Sequence, residues 1–196
     1  MLRQTGQGPS NEAIANRVEF SASEQGSYGF DAEGADAISS QYQSVLIDGK
    51  LYQIPWKAVA TGRPDAVIAE MLTEGESTNI SDIRFTASGQ TLTVTPDPQA
   101  TSKGSLQVQT ALTESPLTIS ASRLLTNEEG SEEEQLLGQL NVIGYTPQSQ
   151  QLIIVPVNGN NYPYAENNLQ RALNEVYGQA VTSWQVSLPP GESSEA

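Results

Sequence analysis

Short runs of alternating apolar and polar residues, broken by turn residues at intervals of roughly 8–12 positions, fill the first two thirds of the chain. Arg17-Val18-Glu19-Phe20-Ser21-Ala22 is the first such run, and period-2 alternation places its side chains on opposite faces of a strand. Val45-Leu46-Ile47 and Leu51-Tyr52-Gln53-Ile54 flank Asp48-Gly49, a dipeptide whose tolerance of positive φ suits a tight hairpin turn. Pro55-Trp56-Lys57-Ala58-Val59 reads as a continuation of the second of these strands, with Pro55 at an edge or bulge. Further runs lie at Val67–Leu72, at Asp82–Thr86 facing Thr91–Thr95 across Ser88-Gly89-Gln90, at Leu106–Leu112 and at Leu117–Ala121. The pattern predicts an antiparallel, immunoglobulin-like β-sandwich over residues 16–135.

The stretch from Gln151 to Leu188 is patterned differently. It holds the most apolar run, Leu152–Val157, then a helical period in which Leu169, Ala172, Leu173, Val176 and Tyr177 share one stripe. Asn167, Gln170, Arg171 and Asn174 are assigned to the opposite, wet side. Tyr162-Pro163 suits the helix start and Gly178 a left-handed C-terminal cap. Thr182, Trp184 and Val186 alternate with Val181, Ser183 and Gln185 in a closing strand. Strand, helix and strand predict parallel pairing with a right-handed crossover. The short link Thr146–Gln150 predicts that the strand at Leu140–Tyr145 folds back on Leu152 as a hairpin. The result is a ββαβ unit over residues 136–188, so the chain is expected to be mainly β with a small α+β part. Whether the strand at 140–145 closes the sandwich or opens the unit is undecided at this level.

Between them lies Asn127-Glu128-Glu129-Gly130-Ser131-Glu132-Glu133-Glu134, an exposed acidic seam in which Ser131 and Glu134 also match a capping box. Residues 1–15 and 189–196 have tail and linker composition. No secretory signal opens the sequence, and no run is long enough to span a bilayer as a helix. A cytosolic protein or a mature fragment fits, and the β-rich, Ser/Thr/Asn/Gln-rich composition favours the second.

Charge and composition narrow the chemistry. A net charge of −14 repels nucleic acid and anionic membrane surfaces. The chain has no cysteine and no histidine, which removes disulfides, thiolate nucleophiles, cysteine zinc sites and the commonest general base. Neither Gly-x-Ser-x-Gly nor Ser-x-x-Lys occurs. Paired carboxylates remain, with Asp31, Asp36, Asp65 and Asp82 as candidates for hydrolysis. Asp31, Glu33 and Asp36 in one Gly-rich loop are oxygen ligands spaced closely enough to share a calcium ion, although the loop lacks EF-hand spacing. Trp56 with Tyr52, and Trp184 with Tyr162 and Tyr164, are stacking candidates for sugar faces, against the simpler reading of both tryptophans as core anchors. Tyr162 and Tyr164, with Asn160 and Asn161 just before them, form the best exposed ligand-binding loop.

The residues Ile153-Ile154-Val155-Pro156-Val157, Leu173–Ala180 and Val181-Thr182-Ser183-Trp184-Gln185-Val186 together resemble the opening strand–helix–strand of metzincin-type zinc proteases. The His-Glu-x-x-His helix of that family has no counterpart here, so the resemblance carries over no catalytic or metal residue. Tyr28-Gly29-Phe30-Asp31 and Tyr52–Ala58 resemble sandwich modules of large secreted bacterial proteins. These likenesses imply a non-catalytic structural or interaction module of a secreted or cell-surface bacterial protein, with a place ahead of a metalloprotease domain as one setting the metzincin likeness suggests. A glycan-binding sandwich is the alternative, and a carboxylate-dependent hydrolase a third. Expected partners are neighbouring domains, another protein or a glycan, with no nucleic acid, no membrane insertion, no cofactor besides the calcium candidate, and dimerisation through exposed strand edges.

Overall fold

The computed structural model describes residues 16–32, 42–73, 78–112, 115–126, 130–155 and 166–187. In chain order the strands are β1 (Arg17–Ala22), β2 (Phe30–Asp31), β3 (Ser44–Ile47), β4 (Lys50–Gln53), β5 (Trp56–Ala60), β6 (Asp65–Leu72) and β7 (Arg84–Ala87). They continue as β8 (Gln90–Leu92), β9 (Val94–Asp97), β10 (Ala100–Val108), β11 (Leu117–Thr126), β12 (Glu132–Tyr145), β13 (Gln148–Ile153) and β14 (Thr182–Ser187). Helix α1 (Glu166–Tyr177) lies between the last two. The chain is mainly β, with one α-helix among the described residues.

One sheet has four strands in the order β1-β6-β10-β9, all antiparallel. A second has six, β2-β5-β12-β11-β7-β8, antiparallel except where β12 runs parallel to β5. Alternation explains how they meet. Val67, Ala69 and Met71 of β6 are buried, as are Val18 and Phe20 of β1 and Leu106 and Val108 of β10. The six-stranded sheet sends Val59, Phe85, Ile119, Ala121, Leu137, Leu140 and Val142 into the same cluster. Phe20 and Phe85 meet edge to face across it, with ring centroids 6.3 Å apart. Each fully buried large apolar side chain contributes about 1.5–3 kcal/mol of transfer free energy, so this shared core is what drives the two sheets together.

Several boundaries differ from the pattern-based expectation. The turn at Asp48-Gly49 forms as expected, with φ of 49° and 76°, and so does that at Ser88-Gly89. Pro55 does not continue β4, however. Ile54-Pro55 carries the chain out of the β3–β4 hairpin, which is a separate two-stranded sheet, and into the six-stranded one. Thr91–Thr95 is likewise split at Thr93 between two sheets. Ser131–Glu134 makes no helical turn, because Glu132–Glu134 already pair with Leu124–Thr126 in the β11–β12 ladder. The seam expected at residue 135/136 falls inside β12, whose Leu137, Leu140 and Val142 belong to the main core.

Nor does β12 fold back on β13. Its two edges are taken by β11 and β5, so β13 pairs instead with β14, in parallel and in a sheet of its own. Gly178 does not provide the left-handed cap. A 3-10 turn, Gly178–Ala180, extends the helix, and Val181 takes the positive φ of 58°. The helix stripe also sits otherwise. Ala172, Val176 and Tyr177 are exposed, while Leu169, Gln170, Leu173 and Asn174 are the half-buried positions facing the ribbon.

Gly138 marks the tightest approach of β12 to β1, and the ladder slips beside it at Ala121/Ser122. A Cβ there would lie 2.5 Å from the Val18 carbonyl oxygen, backbone that cannot step aside. Gly138→Ala is expected to destabilise by about 1–3 kcal/mol through overpacking. Gly178→Ala, where a Cβ meets nothing within 4 Å, serves as the control and is expected to stay within about 0.5 kcal/mol. Denaturant midpoints at unchanged slope read both.

Candidate functional site

An open groove of about 550 Å³ lies between β1, β12 and the β3–β4 hairpin. Tyr52 of β4 lines it, and so does Leu51, which pairs directly with Leu46 across the hairpin; Leu46 and Leu51 stand 62% and 73% exposed. Arg17 on β1 lies over the Tyr52 ring, 4.6 Å from its centroid, and its guanidinium is ion-paired with Glu19. Gln53 and Gln139 add amide donors and acceptors, and Val18, Val45 and Ile47 an apolar wall. A guanidinium on an aromatic face beside amides is recognition chemistry: it offers stacking, charge and hydrogen bonds.

Beside the groove, Asp31 on β2 accepts a hydrogen bond from the Tyr42 hydroxyl. That bond, then burial, then the negative charge of Asp31 push the Tyr42 hydroxyl up to about 12. The Tyr42 ring stands edge-on to Trp56, at 76° and 6.5 Å. Below, the fully buried Asn141 accepts from the Thr118 hydroxyl at 2.8 Å and donates to the Gln43 side chain at 3.3 Å.

A buried ion pair also links the two sheets. Lys57 of β5 and Asp65 of β6 are 1% and 4% exposed, with Nζ 2.6 Å from Oδ2. Lys57 also donates to the Tyr28 carbonyl at 2.6 Å. The Asp65 carboxylate accepts the backbone N–H groups of Ser27, Tyr28 and Ala66 at 2.9, 3.1 and 2.9 Å. Burial by itself raises the Asp65 carboxyl. The hydrogen bond from Lys57, those from the Ser27 and Ala66 amides and the lysine's charge outweigh it and hold the group below the usual carboxylate range.

The sequence-level candidates are therefore distributed rather than assembled. Asp31 is exposed on β2 and bound to Tyr42, while Glu33 and Asp36 lie outside the described residues, as do Asn160, Asn161, Tyr162 and Tyr164. Asp65 is locked in the buried pair and Asp82 is exposed in the 3-10 turn Ile80–Asp82. No group of three or more acidic side chains able to hold a metal occurs among the described residues. Trp56 meets Tyr42 and not Tyr52, and Trp184 meets Tyr177, at 5.6 Å and 52°. Both tryptophans are half-buried, and neither has a coplanar aromatic partner in these contacts. Pattern reading missed the Lys57–Asp65 pair. Its one signal was a lysine set inside the otherwise uncharged run Pro55–Ala60.

Because the Asp65 carboxyl is depressed in the folded state, its contribution to stability is fully present above the unfolded value near pH 4 and is lost as pH falls through the lower folded value. Asp65→Ala strands a buried ammonium and is expected to cost about 3–5 kcal/mol at pH 7. It should also flatten the acid limb of the stability–pH curve relative to wild type. Urea unfolding between pH 7 and pH 2 measures both.

No known family model matches the chain, and no characterised protein matches it. No helix among the described residues is long and apolar enough to cross a membrane.

Proposed function

We propose that this chain is a non-catalytic interaction module, immunoglobulin-like in its sandwich, from a secreted or surface-attached bacterial protein. The observation that carries this reading is the groove at the β3–β4 hairpin. Its charged groups, Arg17 and Glu19, are spent on each other and on the Tyr52 face, an arrangement suited to holding a partner and not to moving protons. Tyrosine and arginine are the side chains that most often dominate binding energy at protein interfaces. The exposed Leu46–Leu51 pair at the hairpin adds apolar surface next to them. A partner protein or a neighbouring domain of the same chain is the occupant this fits. The likeness of Ile153–Val157, Leu173–Ala180 and Val181–Val186 in sequence to the opening strand–helix–strand of metzincin-type proteases supports a place beside a protease domain. A flat sugar platform is less well supported, since the described tryptophans meet their aromatic neighbours at steep angles.

Immobilised wild-type chain is expected to retain a protein from the secreted or envelope fraction of the producing bacterium. Tyr52→Ala should weaken that retention at least about tenfold, a change of 1.4 kcal/mol, with the melting temperature unchanged. Equal retention by both, or hydrolysis of casein or of a soluble β-glucan by the wild type, contradicts the reading.

A further inference from the structure

The β13–β14 ribbon has two outer edges, and they are treated differently. On β14 the outward backbone groups at Trp184 and Val186 are engaged by the chain's own helix. The Trp184 N–H donates to Asn174 Oδ1 at 2.6 Å, Asn174 Nδ2 donates to the Trp184 carbonyl at 3.2 Å, and the Val186 N–H donates to Gln170 Oε1 at 3.1 Å. Two amide side chains stand where a neighbouring strand would be. On β13 the Gln148 N–H bonds Val181 and the Ile154 N–H bonds Ser187, so Ser149, Gln151 and Ile153 turn their N–H and C=O groups outward. These three residues are exposed, and their outward backbone groups have no partner among the described residues.

We propose that β13 pairs antiparallel with β13 of a second copy of this chain, joining two ribbons into one four-stranded sheet. This goes beyond the groove reading and does not depend on it. Charge favours a second copy at this edge. Residues 148–155 carry no charge in a chain of net −14, so two copies can approach here without the repulsion that the rest of the surface imposes. Geometry sets the register. Alternation lets only Ser149, Gln151 and Ile153 form hydrogen-bonded pairs, and the register that pairs all three puts the twofold axis between the two Gln151 residues, with each Ser149 facing the other copy's Ile153. The half-exposed Ile153 and the exposed Val155 then gain apolar cover. Helix α1 makes the assembly stop at two. With the β14 edge already closed, the joined sheet offers no further strand to add, and the contact is a closed dimer instead of a fibre.

A six-residue ladder is a small interface, so the dimer is expected to be weak, and stronger at physiological salt than at low ionic strength. Sedimentation equilibrium of the full chain up to about 1 mM should show a reversible monomer–dimer equilibrium, since a contact weaker than that is worth less than about 4 kcal/mol. Gln151→Pro removes only an outward N–H, so the fold should be kept and the dimer lost. Gln151→Lys, which sets two ammonium groups on the axis, should do the same. In a chain without cysteine, Gln151→Cys places two Cα atoms about 5.5 Å apart and should form an intermolecular disulfide. Gln185→Cys, opposite it on β14, should not. A monomer at every concentration, or a dimer that Gln151→Pro and Gln151→Lys leave intact, overturns the proposal.

Discussion

Lys57 and Asp65 bind three parts of the molecule at one point. Lys57 belongs to the six-stranded sheet, Asp65 opens β6 of the four-stranded one, and the Ser27–Tyr28 backbone that both grip lies on the link from β1 to β2, which passes between the sheets. Two bare charges in a dry core would cost several kcal/mol each. Here every acceptor site of the carboxylate is directed at an N–H or the ammonium, and the ammonium has a carbonyl besides. An apolar core can slide, whereas these directed bonds favour one arrangement of the two strands and the link. The apolar cluster supplies the larger free energy; the pair fixes where the β1–β2 link crosses and how β5 meets β6.

The mixed character of β12 follows from the same layout. Once β5 is fixed at that point, the edge it leaves free is filled by a strand from much later in the chain, and β12 fills it in parallel, with Asn141 donating its N–H to the Pro55 carbonyl. With β11 on its other side, β12 has no edge to offer β13. The C-terminal ribbon must therefore complete itself, through α1 on one side and, in the proposed dimer, through its own copy on the other. The groove under the β3–β4 hairpin arises because that hairpin joins neither main sheet and leans over β1 and β12. Both proposed contact surfaces are thus places where the strand order runs out.

Much of this was legible in the residues. Alternation in Arg17–Ala22 and Val67–Leu72, the positive-φ pair Asp48-Gly49, a turn at Ser88-Gly89, and the strand–helix–strand order at the end appear as read, although the first strand of that unit is Gln148–Ile153 and not Leu152–Val157. What escaped was long-range. Local pattern cannot say that Ile54-Pro55 changes sheets, or that β12 meets a strand some eighty residues earlier. Gln170 and Asn174 read as solvent-facing because amides usually are; their use as strand-edge caps depends on the register of β14, which no helical period encodes. The ion pair stayed hidden for a related reason. Lys57 looks like any strand lysine until Asp65 is known to lie opposite it. The expected tyrosine and calcium loops fall largely outside the described residues, so the proposed contact surface is argued from Tyr52 and Arg17, which no spacing motif marks.

Native-state hydrogen exchange of the Ser27 and Tyr28 amides tests the central role of the buried pair most directly. Both lie in a link between strands, where amides ordinarily exchange fast. If Asp65 and Lys57 fix this link, the two amides are protected to nearly the level of Val67 and Leu106 in the core, and Asp65→Ala releases them while the core amides remain slow. Fast exchange of Ser27 and Tyr28 in the wild-type protein would contradict the account.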